Sequence, residues 1–195
     1  MIAFKGFTKD LTATMGKGVY QFEPGRTEVT EKSKTASIGF HCCENPIECM
    51  GWYSMYRGSR YFMVEAAGDI NEDEFEKIAC TELTLIKELS VKELVGHGMM
   101  YMVQHPMRAR WKQRHAGIVV TDMNTSIDIS GDIAIVRSAN PRVKGVEGAI
   151  LGLILEKEPG VITEAKLFEV GQDTKPGTWY TITEGRKLME VKDEV

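Results

Sequence analysis

The chain of 195 residues has no apolar run of the roughly 18 residues that a membrane-crossing helix needs. It also lacks the N-terminal pattern of basic residues followed by an apolar stretch, so no signal peptide and no membrane span are expected, and the location expected is cytoplasmic. Its four cysteines, Cys42, Cys43, Cys49 and Cys80, have no regular spacing. Free thiols are therefore expected rather than a disulfide frame. Basic charge is not in excess: 24 Lys and Arg face 28 Asp and Glu, a net charge of −4, which argues against a dedicated nucleic-acid binder. The exception is the compact basic run Arg108–His115, which also reads as a solvated connector. Glycine-rich phosphate loops are missing too, since Gly16-Lys17-Gly18 is too short for one and follows no strand.

What the sequence does contain is β-forming texture. Short runs around Ile2–Phe7, Val19–Phe22 and Thr27–Thr30 read as strands, with a turn at Glu23-Pro24-Gly25-Arg26. The stretch Ser37–Ile70 holds three of the cysteines, His41 and a dense aromatic group that includes Phe40, Trp52 and Tyr53. Within it Asn45, Pro46 and Glu48 predict a helix start, and Tyr61–Ala67 predicts a strand ended by Gly68-Asp69. Residues 71–89 fit a helical stripe (Phe75, Ile78, Ala79, Leu83, Ile86) and also a strand over Lys77–Ile86; the strand is taken. Ser90 and Glu93 form a capping box that opens a helix running to about His105, where Pro106 ends it.

From Ala116 onward short β runs alternate with glycine or polar turns. A weak five-residue spacing through Ile118, Met123, Ile133 and Val143 leaves a short β-solenoid open beside an antiparallel meander. The fold expected is α+β: an N-terminal mixed α/β module over 1–105, a basic connector over 106–115, and an all-β module over 116–195, the two modules joined by a helix. Self-association through sheet edges is a further expectation.

Phe4-Lys-Gly-Phe7 with Lys9-Asp-Leu11, Gly39-Phe-His41 with Cys43-Glu-Asn-Pro46, Thr81-Glu-Leu-Thr-Leu-Ile86 and Lys175-Pro-Gly-Thr-Trp-Tyr180 together resemble an uncharacterised domain family common in phages and prophages. The resemblance implies a phage-type accessory protein in the cytoplasm of an infected or lysogenic bacterial host. Such a protein would bind a host or phage protein or other macromolecule and counteract a bacterial defence. The order of elements is also similar to that of ADP-ribosyltransferase domains. That likeness implies NAD as cofactor, held by Lys5 or His41, with Glu82 as the catalytic carboxylate stabilising an oxocarbenium-like transition state. A third constellation, His41, Cys43 and Cys49, has the donor types for zinc but not the paired spacing of a zinc knuckle.

Overall fold

The computed structural model describes residues 1–14, 18–35, 37–72, 77–172 and 174–192. Gly16, Lys17 and Phe75 lie outside these described residues. Strands occupy 50 % of the chain and helical turns 12 %, so the α+β expectation gives way to a predominantly β protein. Residues 71–72 and 77–89 went to long strands rather than to a helix, which leaves one helix of more than five residues among those described. The chain divides into two compact units, Met1–Gly98 and Met99–Val195.

In the first unit the elements are β1 (Ile2–Phe7), β2 (Thr12–Ala13), β3 (Tyr20–Gln21), β4 (Thr27–Val29), β5 (Phe40–Cys43), α1 (Glu48–Trp52), β6 (Arg60–Glu72) and β7 (Lys77–Leu89). Helix α2 (Val91–Gln104) follows, and the division between units falls within it. The five-stranded sheet runs β4-β7-β5-β1-β6, and β6 also pairs with β7, so β1, β6, β7 and β5 form a closed circuit. Closure puts one face of each strand in the interior, where Ala3, Phe7, Phe62, Val64, Ile78, Cys80, Leu83 and Leu85 pack with Phe22 and Phe40. The β1–β6 seam is paired over six positions, but β1–β5 at Phe4↔Cys43 alone.

Strand β6 does not stop at Gly68. The register with β7 shifts between Ala67 and Ile70, and Gly68 takes φ +73° while Thr81 Oγ1 accepts a hydrogen bond from Asp69 N. Glycine here makes a bulge that lets a 13-residue strand curl around a small barrel. At the start of α2, Ser90 Oγ accepts from Glu93 N and Glu93 Oε2 accepts from Ser90 N, the reciprocal cap that the sequence predicts.

The second unit contains β8 (Gln113–His115), β9 (Ile118–Thr121), β10 (Thr125–Ile127), β11 (Ile133–Ser138), β12 (Val143–Gly145), β13 (Ile150–Glu158), β14 (Val161–Glu169), β15 (Trp179–Thr183) and β16 (Lys187–Val191). It is not a simple meander. β9, β11 and β13 lie side by side in parallel, as do β10 and β12, so Ile118, Ile133 and Ile150 stack in one row. Antiparallel β8 and β14 flank the first sheet, and β15 and β16 extend the second. Between the sheets pack Val119, Ala134, Leu151, Val136, Leu153, Phe168 and Tyr180.

On the other face of β11 the guanidinium of Arg137, 2 % exposed, donates from Nε and Nη2 to the Glu156 carboxylate at 2.8 and 2.6 Å and from Nη2 to Pro106 O. Its Cζ stands 4.7 Å from the Trp111 ring centre. The basic run therefore contributes the Trp111 stack and strand β8 to this unit.

Candidate functional site

In the first unit a cavity of about 740 Å³ opens along the sparsely paired β1–β5 seam. Two strands that share one paired position leave space between their flanking residues, and the side chains there line it. From β1 come Phe4, Lys5 and Gly6, and from β5 and its approach Gly39, Phe40, His41, Cys42 and Cys43; Tyr20, Phe22, Trp52 and Tyr53 add rings. Tyr20, Phe22 and Phe40 pack edge to face, with centroids 4.8 to 5.4 Å apart.

Lys5 is the unusual residue of the wall. Its neighbours Ala3 and Phe7 alternate with it into the interior, so it too is held inside, 7 % exposed. The ammonium donates to the backbone oxygen of His41 at 2.5 Å and lies 5.3 and 5.5 Å from the Phe7 and Phe22 rings. Among the described residues no carboxylate is bridged to it, whereas the other buried charges, Glu28 and Arg137, have Arg26 and Glu156. Burying an ammonium without a counter-ion is expensive, and one backbone acceptor with two ring faces recovers only part of that.

His41 sits across the seam. Burial first, and the Lys5 charge second, hold its imidazole below the ordinary histidine value, so the ring is neutral at neutral pH. Its buried Nε2 has no hydrogen-bond partner among the described residues. Lys77, at the rim, places its ammonium 4.4 Å from the Trp52 ring centre. Gly39, at φ +94°, lets the chain turn into β5 against the backbone of β7.

All four cysteines are free and buried. Adjacent residues of a strand face opposite ways, and the thiols divide accordingly. Cys42 pairs with Cys80 inside the barrel; the Cys42 S–H donates to Cys80, which raises Cys42 and lowers Cys80. Cys43 pairs with Cys49 of α1, and that hydrogen bond followed by burial pushes Cys49 up.

The structure thus brings Lys5, His41, Cys43 and Cys49 to one cavity. Glu82 is not in its lining: it lies half-buried on β7, paired with Ala67 and Val29. Among the described residues no group of three or more His, Cys, Asp or Glu is gathered where it could hold a metal ion. Tyr20, Phe22 and Lys77 escaped the sequence analysis as site residues. The first two look like ordinary strand residues, and only the folding of β3 over the seam marks them.

Residues 1–97 match the model of a family described as a domain of unknown function (DUF7666). The match agrees with an uncharacterised family for the first unit and names no activity. No curated protein matches the chain, and no solved structure does. No helix among the described residues is long and apolar enough to cross a membrane.

Proposed function

We propose that the first unit is a binding module for a small anionic ligand that carries a flat ring, with nucleotides as the chemical class. The observation that carries this reading is Lys5, a buried cation without a bridged carboxylate, at the wall of an aromatic cavity. A phosphate would supply the missing counter-charge, the unpartnered Nε2 of His41 a hydrogen bond, and the rings of Phe22, Phe40 and Trp52 surfaces for a base. The volume falls in the range of about 300–1,000 Å³ usual for small-molecule sites. Binding is preferred to ADP-ribosyl transfer because Glu82 stands outside the lining. The wider reading, a phage-type protein that binds a host or phage macromolecule and counteracts a defence, rests on the family resemblance alone.

The test is thermal unfolding with ADP, NAD and phosphate-free adenosine. ADP or NAD at about 100 times its Kd should stabilise the unit by about 2.7 kcal/mol. Adenosine should do markedly less. Lys5→Met, which keeps the stem and removes the charge, should abolish the nucleotide shift, while Glu82→Gln should preserve it. Absence of any shift with either nucleotide sinks the proposal, as does an undiminished shift in Lys5→Met.

A further inference from the structure

The nucleotide reading gives one cation a role, yet the cavity has a second. Among the described residues of its lining, Lys5 and Lys77 carry a fixed charge and no Asp or Glu is present. Their places follow from the strand register. Residues opposite one another on antiparallel strands share a face, so Phe4, Cys43 and Lys77 make one row across β1, β5 and β7. Lys5 follows Phe4 in the chain and points to the other face, with Ala3 and Phe7 in the interior. The two lysines therefore reach one cavity from opposite faces of the sheet, at the β1–β5 seam that is paired at one position.

The two cations mark the two ends of the site. Lys5 is buried and holds the inner end. The Lys77 ammonium stands 4.4 Å from the ring centre of Trp52, which is 43 % exposed, so this cation sits at the mouth. The imidazole of His41 feels both charges, Lys5 more strongly than Lys77. Glu48 of α1 also feels Lys77, but burial outweighs that attraction and holds its carboxyl above the ordinary range; Glu48 is outside the lining. A cation at each end, with no acid in the described wall between them, suits an extended anion better than a compact one.

We propose that Lys77 determines the specificity of this site, selecting nucleoside diphosphates over monophosphates by taking a second phosphate while Lys5 takes the first. The proposal rests on the nucleotide reading and adds a requirement on the ligand. A monophosphate meets one ammonium group and leaves the other unused. A diphosphate meets both, and each contact is a charge-assisted hydrogen bond in a wall that offers no competing carboxylate among its described residues. Trp52 keeps the Lys77 ammonium near the mouth before the ligand arrives, so less side-chain freedom is lost on binding. Lys77 positions the ligand; it has no part in any reaction.

The experiment is calorimetric titration of the full chain with ADP and with AMP, in wild type, Lys77→Met and Lys77→Arg. Wild type should bind ADP at least about tenfold more tightly than AMP, the usual worth of a hydrogen bond to a charged group. Lys77→Met should bring ADP down to the affinity of AMP and leave AMP unchanged, while Lys77→Arg should keep the preference. Should Lys77→Met fold poorly, Lys77→Gln, which keeps a polar side chain at the rim, takes its place. Equal affinity for ADP and AMP in wild type overturns this proposal alone, as does a preference that survives in Lys77→Met or an equal loss for both ligands there. No binding of either ligand by wild type overturns the nucleotide reading, and this proposal with it.

Discussion

Replacing Arg137 by alanine is expected to destabilise the second unit by about 3–5 kcal/mol, the usual loss when one partner of a buried pair is removed. Arg137 is almost fully buried, and its guanidinium satisfies the Glu156 carboxylate with two hydrogen bonds while also holding Pro106 O and the Trp111 ring. The alanine variant leaves Glu156, itself only 13 % exposed, without its cation and the 106–111 segment without its anchor. Urea unfolding in a Trp52→Phe background checks this, since Trp111 and Trp179 then report on the second unit alone. A loss below about 1 kcal/mol, the value of a surface pair, would sink the account. Arg137→Met with Glu156→Leu should cost less than Arg137→Ala, because an apolar pair needs no desolvation repayment.

The same pair sets an acid limit. The Arg137 hydrogen bonds hold the Glu156 carboxyl below the ordinary range, against burial, which opposes them. A depressed carboxylate contributes stability that is present above the unfolded value, about 4.3, and lost as pH falls through the lower folded value. Wild type should therefore lose stability more steeply than the Met/Leu variant as pH drops below about 4.3. Parallel slopes for the two proteins would contradict it.

Gly39→Ala should have the second large effect, about 2–5 kcal/mol, from a left-handed backbone added to overpacking. A Cβ there would sit 2.9 Å from Cys80 O and 3.1 Å from Ser33 Cα, backbone atoms that cannot swing aside. Gly25→Ala is the control: φ is +79° but nothing lies within 4 Å, so only the conformational cost of about 1–2 kcal/mol applies. Equal losses for the two variants would show that the close approach of β5 to β7 is not tight. Since Gly39 leads into Phe40 and His41, its variant should weaken nucleotide binding as well.

The elements that were legible in the sequence are those with local causes. The Ser90–Glu93 cap, the Pro24-Gly25 turn and the strand at Ile2–Phe7 need only neighbours along the chain. The misread elements depend on distant partners. Gly68-Asp69 reads as a strand end, yet a bulge closed by Thr81 carries β6 through it. Residues 118–155 read as runs that could pair either way, and the parallel stacking of Ile118, Ile133 and Ile150 is fixed by packing of rows that no local pattern specifies.

The site divides the same way. Lys5, His41, Cys43 and Cys49 stand out by residue type, so the sequence by itself determined the chemistry available: one amine, one imidazole, thiols and rings. Only the tertiary structure decided how they combine. Closing β1, β6, β7 and β5 into a circuit turned Lys5 inward, left Glu82 outside the cavity, and sorted adjacent Cys42 and Cys43 into separate pairs, because neighbours on a strand face opposite sides.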